Sequence, residues 1–133
     1  MRAASPRVIE AGVVAILVTV ALYPLTQVYQ VAADRGRGDR TFGAVYGPRG
    51  CFLLSILGAL AAAPLLADFA RRYFSRAEGV VLAAAVLIMA LILYAWSKRF
   101  DPAAVARNYD RVMTIGYATA GAFAALILWH MAR

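Results

Sequence analysis

The sequence predicts an all-α integral membrane protein, a bundle of four transmembrane helices. Composition is the first reason. Hydrophobic residues make up 63% of the 133 residues and charged residues 16%, against roughly 45–50% and about 25% in an average soluble domain. A chain of this size buries only about two-thirds of its surface on folding, so that apolar excess cannot be hidden from water. The second reason is segmentation. Four stretches lack Asp, Glu, Lys and Arg altogether: 11–33, 50–67, 79–97 and 112–132. Each has a length near the roughly 17–25 residues that cross a bilayer core as helix. Hydrocarbon offers no partner to an unpaired backbone amide, so each run is expected to be helical.

The expected spans are about 9–31, 51–69, 79–97 and 112–131, forming a single domain over 1–133. Arg2 and Arg7 precede the first span in the manner of a secretory leader. The run continues into Tyr23, Pro24 and Gln27 instead of a small-residue cleavage site, so it reads as a retained span. The second and fourth spans carry small residues, Gly58 with Ala59 and Gly116 with Ala120 and Gly121, which permit close helix packing. Tyr94, Trp96, Trp129 and His130 fall where an interfacial aromatic belt would lie.

Three connections remain. The first, the charged loop 32–50, holds two acids, four arginines and five glycines. The second, near 70–78, carries Arg71, Arg72 and Arg76 and reads as a headgroup anchor, with Asp68 pairing to Arg71 or Arg72 and Glu10 to Arg7. The third, 98–111, is expected to form a short interfacial helix after Asp101-Pro102, because Asp caps helix starts and Pro suits the first turn. Tyr109, Asp110 and Arg111 lie on the same side as the first loop.

Net charge is +7, from 14 basic and 7 acidic residues. The basic residues sit between apolar runs, which points to anionic lipid headgroups and not to nucleic acid. With four spans, the side bearing the first and third loops carries eight cations (Arg35, Arg37, Arg40, Arg49, Lys98, Arg99, Arg107, Arg111). The side of the termini carries six (Arg2, Arg7, Arg71, Arg72, Arg76, Arg133). The positive-inside rule then puts the first and third loops in the cytoplasm, and the expected location is a bacterial inner membrane. The single cysteine, Cys51, excludes an internal disulfide and a multi-cysteine metal site.

Chemistry concentrates where the first span meets its loop. Tyr23, Gln27, Gln30 and Asp34 are spaced 4, 3 and 4, which on a continuous 3.6-residue helix is one face. Polar groups on that face must meet other helices or a wet cavity, because unpaired burial in hydrocarbon costs several kcal/mol each. The segment Asp34-Arg35-Gly36-Arg37-Gly38-Asp39-Arg40-Thr41 follows. Asp34 and Asp39 supply hard oxygen ligands, and magnesium typically takes one or two carboxylates together with substrate phosphates. Arg35, Arg37 and Arg40 can fork onto phosphate oxygens. The competing expectation is a solvated connector whose acids and arginines pair with one another.

Tyr23-Pro24-Leu25-Thr26-Gln27-Val28-Tyr29-Gln30, followed by Asp34-x-x-x-Gly38-Asp39-x-Thr41 and Gly47, resembles the second aspartate-rich region of the UbiA superfamily of intramembrane prenyltransferases. Asp34, Gly38 and Thr41 match that motif's second acid, glycine and Ser/Thr. Gln30 stands where the family commonly has its first acid. The family's other motif, N-D-x-x-D-x-x-x-D, does not occur in the chain, which is about half the length of a family member. The resemblance implies the last four helices of the UbiA fold. It implies magnesium on Asp34 and Asp39, and a polyprenyl diphosphate bound by Arg35, Arg37 and Arg40. Gln30 would be a further ligand, with Gln27, Tyr23 and Tyr29 lining the cavity. The prenyl group would pass to an aromatic or lipid acceptor, with a separate N-terminal half or a homo-oligomer completing the site. The alternative is a non-catalytic small membrane protein, a transporter-like dimer or a complex subunit.

Overall fold

The computed structural model of the protein describes residues 5–132; Arg2 and Arg133, counted above toward loop orientation, lie outside the described residues. The described residues form five helices and no strand: α1 Pro6–Leu22, α2 Val31–Arg37, α3 Phe42–Tyr73, α4 Arg76–Lys98 and α5 Val105–Met131, with a 3-10 turn at Tyr23–Gln27 after α1. Four segments are long and apolar enough to cross a membrane: Pro6–Gln27, Phe42–Tyr73, Arg76–Lys98 and Val105–Met131.

Helices α3 and α4 form the central antiparallel hairpin, joined through Phe74 and Ser75. Ser75 starts α4: its Oγ accepts the Glu78 amide at 3.2 Å, a first-turn cap that supplies one otherwise orphaned donor. The hairpin closes tightly because Gly79 has no side chain. A Cβ there would sit 2.8 Å from the Ala67 carbonyl oxygen. Helix α1 lies against α3 by the same device, with Ala21 on Gly58, where a Cβ would meet the Ala21 Cα at 3.0 Å. Small residues let backbones approach, and close packing replaces the missing hydrophobic drive in lipid. One core cluster joins Val14 and Ala21 of α1 to Ala59, Ala63 and Leu66 of α3 and to Leu82, Val86 and Ala90 of α4. A second, toward the charged end, gathers Leu25, Val28, Cys51, Phe52, Leu93, Trp96 and Val112.

Helix α5 is the outlier. Its buried residues are Asn108 and Val112, both in its first third. Asn108 is fixed by its Nδ2, which donates to the Asp101 carbonyl at 2.8 Å. The short interfacial helix expected after Asp101-Pro102 is not a separate element: residues 105–111 run into the fourth span as one helix. Asp101 instead makes a local turn, its Oδ1 accepting the Ala103 amide at 3.0 Å.

The charged segment 32–50 is also mostly helix. Helix α2 occupies 31–37 and α3 begins at 42, which leaves 38–41 as the connection. Gly38 ends α2 with φ 78° and ψ 14°. That left-handed conformation lets the Gly38 amide donate to the Arg35 carbonyl and the Asp39 amide to the Asp34 carbonyl, at 3.1 and 2.9 Å. This is the paired closure by which helices commonly stop at glycine.

Candidate functional site

The chain passes from α1 to α2 by breaking its helical phase. Pro24 has no amide to give an α-helical ladder, and Tyr23–Gln27 tightens to a 3-10 turn before α2 starts afresh at Val31. The even face expected from Tyr23, Gln27, Gln30 and Asp34 is thereby divided. Gln27 and Asp34 turn inward, with relative exposures of 9% and 2%, while Tyr23 is 60% exposed. Gln30 is exposed, and its amide donates to the Tyr29 hydroxyl at 2.9 Å. Tyr29 in turn sets its ring edge-on to Tyr109 of α5, with centroids 5.3 Å apart. The four side chains therefore divide into a buried pair and an exposed pair, although the Gln30 carbonyl still accepts the Asp34 amide at 2.9 Å.

The inward pair meets the start of α3. Gln27 Oε1 accepts the Gly43 amide at 2.8 Å. Thr41 is the N-cap, its Oγ1 accepting the Ala44 amide at 3.1 Å while its hydroxyl donates to Asp34 Oδ2 at 2.8 Å. Arg35 Nε donates to the Ala44 carbonyl at 2.8 Å. That carbonyl needs a partner because α3 is interrupted just beyond it. Gly47 has φ 69° and ψ −178°, outside the helical region, and Pro48 starts the helix again at a position where a missing amide costs nothing. One turn, 42–46, is thus held at its start by Gln27 and Thr41 and near its end by Arg35.

Arg37 closes the arrangement. Its Nη2 donates to Asp34 Oδ1 at 2.6 Å and its Nε to Asp39 Oδ2 at 2.8 Å. The Asp39 hydrogen bond and charge, with a smaller contribution from Asp34, raise the guanidinium above its usual value. Arg40 is exposed. Sequence reasoning brought Asp34, Asp39, Arg35, Arg37 and Gln27 together, and the structure keeps those five within one network while Arg40 lies at its edge.

No family model, curated protein or solved structure matches the chain.

The donor set itself tests the expected magnesium ion. Magnesium wants carboxylate oxygens turned toward a shared point, with phosphate and water completing an octahedron. Here both Asp34 oxygens already accept, one from Arg37 and one from Thr41. The place a shared cation would take between Asp34 and Asp39 holds the Arg37 guanidinium. Among the described residues no three His, Cys, Asp or Glu side chains gather at one point. In this arrangement the residues do not fit a resident magnesium ion.

At the opposite end, Asp68 pairs with Arg71 and Arg72, both at 2.6 Å. Glu10 meets Arg72, at 3.4 Å, and not its neighbour Arg7. Three buried polar residues escaped sequence reasoning, Ser55, Glu78 and Asn108. Asn108 carries no sequence signal beyond its polarity. Glu78 is signalled by Ser75-x-x-Glu78, a capping-box pattern.

Proposed function

We propose that the chain is the C-terminal half of a UbiA-like prenyltransferase, holding a polyprenyl diphosphate at its charged end for transfer of the prenyl group to an aromatic or lipid acceptor. One observation carries the reading: the stretch of chain that leads into the acid–arginine network lines an apolar crevice. A cavity of about 120 Å³ is lined by Leu22, Leu25 and Thr26, the residues just before Gln27, together with Val112, Ile115 and Tyr117 of α5. Ile115 also borders a larger apolar cavity of about 230 Å³ that runs deeper, between Ala21, Ala59, Met89 and Phe123. An amphiphile with an anionic head and an isoprenoid tail matches that polarity, head toward Arg35, Arg37 and Arg40 and tail along α5. The arginines would fork onto phosphate oxygens, Asp34 and Asp39 would hold Arg37 in place, and the apolar walls would keep water from the reacting carbon. The resemblance in residues 23–41 supplies the substrate class. A separate N-terminal half would supply the remaining acidic motif and the magnesium that goes with it. The reading places the protein in a bacterial inner membrane with residues 34–49 on the cytoplasmic side.

The test is binding of farnesyl diphosphate to the full chain in detergent, with and without magnesium. Arg35→Gln and Arg37→Gln are expected to weaken it at least fivefold each, while Arg71→Gln leaves it unchanged. Equal binding by all three variants would sink the site assignment.

A second reading has its own support. Asp34, Thr41, Gln27 and Arg35 each make a hydrogen bond that orders the start of α3. A non-catalytic complex subunit would need them for that alone, and would show no farnesyl diphosphate binding in any condition.

A further inference from the structure

At the charged end, a groove of about 840 Å³ lies between α3 and α4, bordered by Gly47 and without Arg35 in its lining. Arg49 of α3 and Lys98 of α4 line it from facing helices. Their depth is fixed by the sequence: Arg49 immediately precedes the charge-free run 50–67 and Lys98 immediately follows 79–97. On antiparallel helices the two cations therefore stand at the same membrane boundary. Tyr46 and Phe100 lie just outside the two cations in sequence, and Tyr94, Leu53 and Ile56 just inside them, so the lining turns from charged to apolar toward the membrane core.

The acids of this end leave both cations uncompensated. Asp34 and Asp39 are taken by Arg37, the Asp101 carboxylate faces Arg107 at 3.4 Å, and Asp110, exposed on α5, forms no ion pair with either cation. Neither Arg49 nor Lys98 enters an ion pair among the described residues, and Lys98 rests over the Tyr94 ring at 5.0 Å. The break in α3 at Gly47, φ 69° and ψ −178°, borders the same groove. Basic pockets between transmembrane helices at the headgroup level are suited to anionic lipid heads.

We propose that this groove is a binding site for an anionic phospholipid, its phosphate bridging Arg49 and Lys98 and one acyl chain lying along Leu53 and Ile56. Charge complementarity commits the occupant: two unpaired cations at phosphate depth beside an aliphatic lining need an anion that carries its own tail. The lipid would tie α3 to α4 at the end where Gly47 interrupts α3. This inference stands apart from the prenyl diphosphate reading, whose residues and crevice share none of this lining.

The experiment is native mass spectrometry of the full chain released from nanodiscs of mixed phosphatidylglycerol and phosphatidylcholine. Wild type is expected to retain phosphatidylglycerol over phosphatidylcholine, and each of Arg49→Gln and Lys98→Gln to lower that preference about fivefold, the worth of one cation near a membrane surface. Arg71→Gln, at the opposite end, is expected to keep it. Both cations are exposed, so circular dichroism should show the variants folded. Absence of a preference in wild type overturns the proposal, as does its persistence in the double variant. Pyrophosphate in the release buffer separates a lipid from a bare anion, since a lipid-specific site keeps its phosphatidylglycerol. Farnesyl diphosphate that displaces the lipid at equal concentration would assign the groove to prenyl substrate and overturn the proposal.

Discussion

Gln27 Oε1 accepts the amide of Gly43, sixteen residues further along the chain, at 2.8 Å. The two are pressed together: a Cβ on Gly43 would lie 3.0 Å from the Gln27 Cβ and 3.2 Å from its carbonyl oxygen. The contact satisfies one of the free amides at the start of α3 and ties the 3-10 turn to that helix. Truncating Gln27 to Ala leaves the buried Gly43 amide without an acceptor, at a cost of about 1–3 kcal/mol. Gln27→Glu keeps an acceptor at a helix start, where negative charge is favourable, and is expected to lose less. Thermal unfolding in detergent, followed by circular dichroism, ranks the two; an Ala variant as stable as wild type contradicts the assignment.

Gly47 is expected to tolerate no side chain. Its φ of 69° with ψ −178° lies in a region that is essentially glycine's alone, and a residue forced there costs about 1–3 kcal/mol. Space adds little to the penalty, because a Cβ would meet only Arg35 Nη2 at 3.4 Å. Gly47→Ala should therefore lower the unfolding temperature, whereas Gly36→Ala, with open space around the site and no positive φ, should not. Equal stability of the two variants would mean the kink is not held.

The spans were legible because lipid imposes a one-dimensional rule, a charge-free run of sufficient length, and the four runs obey it without reference to partners. The polar stripe was not, because its periodicity assumed one helix through Pro24. Once the chain tightens to a 3-10 turn there, Gln27 and Asp34 keep a common side and Tyr23 and Gln30 leave it. The helicity of 32–50 was hidden for a related reason. Five glycines read as loop residues, yet Gly38 is a helix stop, Gly43 a packing site beneath Gln27 and Gly47 a break between two helical pieces. The contacts that make them so reach across sixteen residues or fewer, but depend on how α2 folds back, which no local pattern encodes. Pairing of Asp34 and Asp39 through Arg37 was among the sequence expectations, as the bland alternative to a metal site.

Arg37 predicts a gain of metal binding on its own removal. The guanidinium sits between two carboxylates at 2.6 and 2.8 Å, and its charge is held above the ordinary arginine value chiefly by Asp39. A raised folded-state value means the charged form, and the stability it brings, is fully present below the ordinary arginine value and lost only as pH rises through the raised one. Across the neutral range the lock therefore does not open with pH. Arg37→Gln frees both acids, and Mn²⁺ paramagnetic resonance should detect tighter binding to that variant than to wild type. Arg37→Lys, which keeps a cation in place, should behave as wild type. Mn²⁺ bound equally by wild type and the Gln variant would mean that the ion displaces the guanidinium unaided.

Glu78 makes the last prediction. The residue is 7% exposed, and its Oε1 has no hydrogen-bond donor; His130 Nδ1 stands 3.8 Å away, beyond hydrogen-bonding range. Two effects oppose each other. The start of α4 favours a negative charge by about 0.3–1 kcal/mol. Burial of an incompletely paired carboxylate costs more than that. Desolvation should win, so Glu78→Gln is expected to leave stability unchanged or to raise it. Ser75→Ala is the reference, because it removes the Glu78 amide's acceptor and should cost about 1 kcal/mol. Unfolding temperatures of the two variants, measured in one detergent at neutral pH, decide the balance. A Gln variant less stable than the Ala variant would show that His130 closes onto Glu78 as an ion pair, adding a polar fastening to the Phe74–His130 ring contact at that end of α5.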